Sequence, residues 1–160
     1  MSEAYEENLS GWTVTRPGPG VRHEQICQRL HDSVRASVSN LTSARLLARR
    51  EQVKLAADSV VRPDLALITA ATGKLWLAAE IVDSNDHRID TVHKKQLYED
   101  LKIPRLWMID PRYDNVEVYY GGEYGLMLKA ILAGREVLAE PLLPEFQITI
   151  ADLFSIQPVA

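Results

Sequence analysis

The sequence predicts a mixed α/β or α+β domain built on a central sheet with both parallel and antiparallel strands. Three observations predict it. Apolar residues recur at helical spacing from Ile26 to Val38, and a hairpin pattern apolar on both faces spans Pro63 to Val82. Helical and strand patterns then alternate to the C-terminus. At 160 residues, the chain is expected to form a single domain over 1–160, with 1–15 as a poorly ordered or short-strand segment. A composition 46% hydrophobic and 25% charged excludes wholesale disorder. No apolar run approaches the roughly 20 residues of a membrane span. The start, MSEAYEENLS, is acidic and unlike a secretory signal, and the single cysteine, Cys27, forms no internal disulfide. A reducing cytoplasm is the expected compartment.

Taken in order, Pro17-Gly18-Pro19-Gly20 breaks the chain and delivers it into the first helix, whose apolar face is Cys27, Leu30, Val34 and Val38. His23 lies in phase with that face and Glu24 near its edge. Asn40–Ser43 reads as a loop, and Leu46–Leu55 as a strand carrying Arg49 and Arg50. Pro63–Thr69, a turn at Ala71-Thr72-Gly73, and Leu75–Val82 read as a hairpin of two buried strands. Ser84, Asn85 and Asp86 are N-cap candidates for a helix running to about Leu101, which Pro104 stops. Leu106–Ile109 is a short buried strand ended by Pro111. Val116–Tyr120 and Tyr124–Leu132 make a second hairpin, with Gly121-Gly122 suited to its turn. Phe146–Ile150 is a last strand.

Charge is unevenly spread. Residues 16–54 hold eight Lys or Arg against three acids, a net +5, which leaves −9 elsewhere in a chain of net charge −4. Such asymmetry suits a polyanion approaching one side, with Arg49 and Arg50 as contacts. Scattered solvated charges explain it equally well.

The doubly apolar hairpin contains two acids. A three-residue turn centred on Thr72 sets Asp64 opposite Glu80, on one face with Ala66, Ile68, Trp76, Ala78 and Val82. Two carboxylates in apolar surroundings repel and lose hydration, and a divalent cation offsets both effects. A two-residue turn instead sends Glu80 to the opposite face. Asp64 then caps a strand start and Glu80 pairs with a nearby base. Spacing alone leaves both open.

Pro63-Asp64 followed by Glu80 on the next strand resembles the signature of the restriction-endonuclease-like superfamily. The wider match is similar to one branch, the Uma-two family of restriction endonucleases. It rests on His23-Glu24-Gln25-Ile26 with Leu30, on Val61 to Leu67, on Leu77 to Val82, and on Asp90, Lys94 and Tyr98 spaced by four. Ile103 to Pro111 and Leu142-Leu143-Pro144 extend it over roughly Trp12 to Phe154. The stretch before the first helix is shorter than the strand block usual in that family.

The resemblance implies a restriction-endonuclease-like core, a mixed sheet flanked by helices. It also implies hydrolysis of nucleic-acid phosphodiesters, DNA foremost, using Mg2+ or Mn2+ held by Asp64 and Glu80 with a backbone carbonyl near Ile81. Val82 stands at the superfamily's lysine position, and Lys94 on the next helix takes that role. Glu24 is a candidate outer ligand, and a homodimer is expected. The competing expectation is an inactive nuclease fold serving as a scaffold or nucleic-acid-binding module.

The other candidates read as structural. His31, on the edge of the first helix, His87 and His93 lack zinc-type partners and suit solvated or structural roles, and His23, on the apolar face and within reach of the site, suits a half-buried structural place. Trp76, Trp107, Tyr119, Tyr120 and Cys27 read as packing. At about 100° per helical residue, Lys94 falls on the inward flank and Lys95 almost opposite, in solvent. The Asp90–Lys94 spacing also suits a simple helical ion pair.

Overall fold

The protein, described as a computed structural model over residues 3–83 and 85–155, is organised by a six-stranded sheet. Its elements are β1 (Tyr5–Leu9), β2 (Trp12–Arg16), α1 (Val21–Val38), β3 (Ala44–Leu46), β4 (Val53–Ala56), β5 (Ser59–Val61), β6 (Leu65–Thr69) and β7 (Leu75–Ile81). A π-helical turn (Ile89–Lys94) then runs into α2 (Lys95–Asp100), followed by β8 (Arg105–Asp110), β9 (Asn115–Gly122), β10 (Gly125–Ala133), β11 (Val137–Glu140), β12 (Leu143–Thr149) and α3 (Ile150–Phe154). The large sheet runs β10-β9-β8-β7-β6-β3 and is mixed, because β7 and β8 are parallel and its other pairs antiparallel. The expected fold class is borne out. A second sheet, β2-β1-β5-β4, and the β11–β12 pair complete the strands.

β6 and β7 are apolar on both faces because both faces are covered. On one side α1 packs Ile26, Cys27, Leu30 and Val34 against Leu65, Leu67, Leu77, Ala79 and Ile81. On the other, Ala66, Ala78 and Val82 meet Ile89, Leu97 and Tyr98, with Leu9, Val14 and Val61 of the smaller sheet. No helix among the described residues is long and apolar enough to cross a membrane.

The hairpin has the register that sets Leu65 against Ala79 and Leu67 against Leu77, so Asp64 and Glu80 occupy the next opposed positions. A bulge between Leu67 and Ile68 pairs Ile68 with Leu75 and breaks the alternation nearer the turn. Trp76 therefore packs on the α1 side and Leu75 takes the place expected for it.

Other expectations need correction. Arg49 and Arg50 lie in a turn between β3 and β4, not within a strand, and Arg50 adopts φ 54°. The segment before α1 is a paired hairpin, Tyr5↔Arg16 to Leu9↔Trp12, so the strand block is present in compressed form. Asn85 and Asp86 do not cap a helix with their side chains; Asp86 instead accepts from Arg16 Nε at 2.7 Å, and Ser84 lies outside the described residues. The last strand starts earlier than expected, at Leu143, and gives way to α3 at Ile150.

The second hairpin turns at Glu123-Tyr124, two residues past the Gly-Gly pair. Gly121 serves a different purpose: a Cβ there would overlap the Ile103 carbonyl oxygen, while its N–H donates to Pro104 O at 2.9 Å. Gly121→Ala forces β9 away from that backbone and is expected to destabilise the fold by about 1–3 kcal/mol. A drop in the urea midpoint with unchanged m-value checks this, with Gly122→Ala, where nothing lies within 4 Å of the added Cβ, as control.

Candidate functional site

Burial of ionisable groups marks one region. Glu7, Arg16, Asp64, Glu80, Asp90 and Lys94 are each no more than 3% exposed, and Lys94 is fully buried. They come from β1, β2, the start of β6, β7 and the π-helical turn.

Asp64 lies just ahead of β6, where its backbone carbonyl accepts from His31 Nε2 at 2.7 Å and lies 3.5 Å from Cys27 Sγ, both on α1. This fixes the main chain and aims the carboxylate along the sheet end. Oδ2 accepts the Ile81 N–H at 2.8 Å, while Oδ1 meets His23 Nε2 at 2.9 Å and Arg50 at 3.0 Å. Arg50 also donates to Glu24 at 2.7 Å. A non-glycine residue in the left-handed region is strained, and here that backbone brings one guanidinium to two carboxylates. Burial alone would raise the Asp64 pKa, but His23, the Ile81 N–H and Arg50 hold it below the usual carboxylate range.

Glu80 projects to the opposite side of the sheet from α1, beneath the π turn and α2. Its Oε2 lies 2.6 Å from Lys94 Nζ and accepts from Tyr98 OH at 2.5 Å. Lys94 also donates to Glu7 Oε2 at 2.7 Å, and Glu7 takes the Arg62 N–H on that oxygen and Arg16 on the other. Arg16 then spans Asp86 and both oxygens of Asp90. Burial, then the charges of Asp90, Glu7 and Asp64, push Glu80 up to about 8 against the pull of Lys94. Lys94 is held well above its ordinary value because Glu7 and Glu80 outweigh its burial. One ammonium shared by two carboxylates keeps its proton and leaves Glu80 short of positive charge.

Of the predicted trio, Glu80 and Lys94 are in direct contact. Asp64 sits at the adjacent strand end, partnered by His23 and Arg50, and its charge is among those raising Glu80. Lys94 points inward as expected, but not as the helical partner of Asp90, which pairs with Arg16. Lys95 is half-buried rather than solvated, 4.5 Å above the Tyr119 ring. His31 is buried in a structural bond to the Asp64 carbonyl, and Cys27 is a core thiol pushed up to about 12 by burial. His23 is half-buried and satisfied, and it also reaches the site: it binds Asp64 and helps wall a cleft of about 480 Å³ with Pro17, Gly20, Val82 and Arg112. Its in-phase position on the helix was the signal available. The +5 segment is not a free basic face, since Arg16 is buried and Arg22 and Arg35 are paired at the surface with Asp114 and Asp32. Among the described residues no three His, Cys, Asp or Glu side chains converge on a preformed metal site.

The fold is shared with a solved structure described as a "putative nuclease belonging to DUF820" from Anabaena variabilis, at a TM-score of 0.78 and 17% identity over 96% of this chain and 91% of that one. The family model Uma2, described as "Putative restriction endonuclease", matches residues 1–151, and the chain belongs to that family. No curated protein matches it.

The buried charges make stability depend on pH. Glu80, raised from 4.5 to about 8, contributes stability that is full below pH 4.5 and is lost as pH rises through 8. Asp90, raised to about 6, acts the same way at lower pH, and His23, raised from 6.5, adds to the fall above that value. Between pH 6 and 8 the unfolding free energy of the native protein is therefore expected to fall. Glu80→Gln removes one proton's share of that slope, at most about 1.4 kcal/mol per pH unit. Denaturant titrations of both proteins at pH 6, 7 and 8 measure the difference, and parallel pH profiles would contradict the assignment.

Proposed function

We propose that this protein is a nuclease that hydrolyses nucleic-acid phosphodiester bonds, DNA foremost, with Mg2+ or Mn2+ held by Asp64 and Glu80. The observation that carries this is the opposed pair of buried carboxylates at the ends of β6 and β7, with Lys94 buried against one of them. The family description and the solved neighbour's title support it.

The donor set fits such a cation. Both oxygen donors are hard, and magnesium is commonly bound by one or two protein carboxylates, the rest of its shell being water and substrate phosphate. Both contacts to Glu80 fall on Oε2, so Oε1 is the oxygen offered, and Asp64 is kept ionised by its surroundings. Ile81, whose N–H fixes Asp64, would present its carbonyl. When bound, the cation supplies Lewis-acid polarisation of the phosphate and lowers the pKa of an attacking water.

The chain's own residues supply the rest. Lys94 places a permanent positive charge beside Glu80, where it orients the water or offsets charge building on the phosphorus oxygens. His23 and Arg50 hold the Asp64 carboxylate in one orientation. The cleft walled by His23, Val82 and Arg112 gives a phosphate its approach. A homodimer belongs to the same proposal, and light scattering tests it.

One observation favours a second reading. Val82 occupies the superfamily's lysine position, and Asp64 already carries two cationic partners, as a scaffold that had lost its metal would.

Two experiments separate the readings. Millimolar Mn2+ should raise the melting temperature of the native protein by a few degrees and leave Glu80→Gln unmoved, since a ligand binding only the folded state stabilises it. In plasmid nicking, Asp64→Asn and Glu80→Gln should each lose on the order of 10³-fold in rate, equivalent to several kcal/mol of transition-state stabilisation, while Lys95→Ala stays within a few-fold. Nicking that survives Asp64→Asn, or no nicking by the native protein with either metal, favours the scaffold.

A further inference from the structure

Lys94 has two anchors, and only one of them belongs to the proposed metal site. The other, Glu7, stands on the first strand, 87 residues away in sequence, and is itself held from three directions. Arg16 donates to Oε1 at 2.6 Å, while the Arg62 N–H and Lys94 Nζ both reach Oε2 at 2.7 Å. No backbone spacing requires a glutamate there. Neighbouring Glu6 is exposed, whereas Glu7 is 2% exposed and is kept ionised because Lys94 and the Arg62 N–H outweigh its burial.

We propose that Glu7 is a positioning residue that fixes the Lys94 ammonium beside Glu80, so that the β1–β2 hairpin forms part of the catalytic apparatus. The inference rests on the nuclease reading of Asp64, Glu80 and Lys94. Its physical basis is the competition for Glu80. In the structure Glu80 and Glu7 share the ammonium at nearly equal distance, 2.6 and 2.7 Å. A divalent cation on Glu80 weakens that carboxylate's hold on Lys94 and repels the ammonium directly. A flexible four-carbon side chain with one remaining partner would then withdraw unless that partner were rigid. Glu7 is rigid, because Arg16 is locked in turn by Asp86 and both oxygens of Asp90. It therefore keeps the charge in place when Glu80 is occupied by metal.

The test compares Glu7→Gln, which removes the charge, with Glu7→Asp, which keeps it one methylene shorter. Two readouts are followed: steady-state nicking with Mn2+, and the ¹⁵Nζ signal of Lys94 in lysine-labelled protein without metal. In Glu7→Gln, kcat is expected to fall 10- to 100-fold with KM within twofold, and exchange of the Lys94 ammonium protons to accelerate at least tenfold. Glu7→Asp should restore kcat to within about fivefold of the native value and recover slow exchange. If Glu7→Gln does not fold, Glu7→Asp carries the test, with a severalfold loss in kcat alone expected. A change in melting temperature or KM with kcat and ammonium exchange unmoved overturns the proposal. If the native protein nicks nothing, the nuclease reading fails on its own, and unaltered Lys94 exchange in Glu7→Gln would separately show that Glu7 does not hold the lysine.

Discussion

A fully buried lysine is the constraint on which the rest of the structure turns. An ammonium removed from water is costly unless it is closely paired, and so are the carboxylates that pair with it. Lys94 meets Glu7 and Glu80; Glu7 then requires Arg16, and Arg16 requires Asp90 and Asp86. Each member is tolerable in the interior only because the next is present. Substituting one by an apolar residue strands its neighbour, which is why such networks respond more strongly to single changes than to joint replacement.

The network also ties together by charge elements that meet in one hydrophobic layer. The smaller sheet, the central hairpin and the π-helical turn each contribute charged members, so none can move without breaking an ion pair. On the other side of the sheet α1 does the same by hydrogen bonds, gripping the Asp64 main chain through His31 and its carboxylate through His23. The two acids of the hairpin are thus held from opposite faces, Asp64 by α1 and its neighbouring turn, Glu80 by the helical segment after it.

How much of this was legible in the sequence depends on the range of the interaction. Period-two alternation places Asp64 and Glu80 on one face only for a three-residue turn, and a hairpin apolar on both faces leaves that register open until the strands pair as Leu65 with Ala79. The inward side of Lys94 could be read because helical phase is local. Strand alternation puts Trp76 on the wrong face, because the bulge that reverses it has no mark in that stretch. Arg50 reads as a strand residue in the sequence, since nothing about an arginine announces a left-handed backbone. Glu7 and Arg16 were invisible: neither stands at a fixed spacing from Lys94 or Asp90, and such pairings exist only once distant strands are assembled. The net charge of residues 16–54 misled for a related reason, because a sum over sequence does not separate an arginine in solvent from one spent in the core.

The π-helical turn has a consequence for how this protein can vary. Over four residues an α-helix overshoots a full turn by about 40°, so residues spaced by four drift around its surface. A π turn holds more residues per turn and lags instead. Placed directly before α2, the lag offsets the overshoot, and Asp90, Lys94 and Tyr98 stay aligned on one buried face despite spanning two kinds of helix. Losing a single residue between Asp90 and Lys94 would let the segment relax into an ordinary α-helix in which Asp90 and Tyr98, then seven residues apart, are related by about 700°, roughly 20° short of two full turns, so the residues before and after keep nearly their present phase. Loss of one residue at this point is therefore gentler than in the body of α2, where it would rotate one flank against the other by about 100°. The segment behaves as one residue of slack, taken up locally so that the buried face stays continuous on either side.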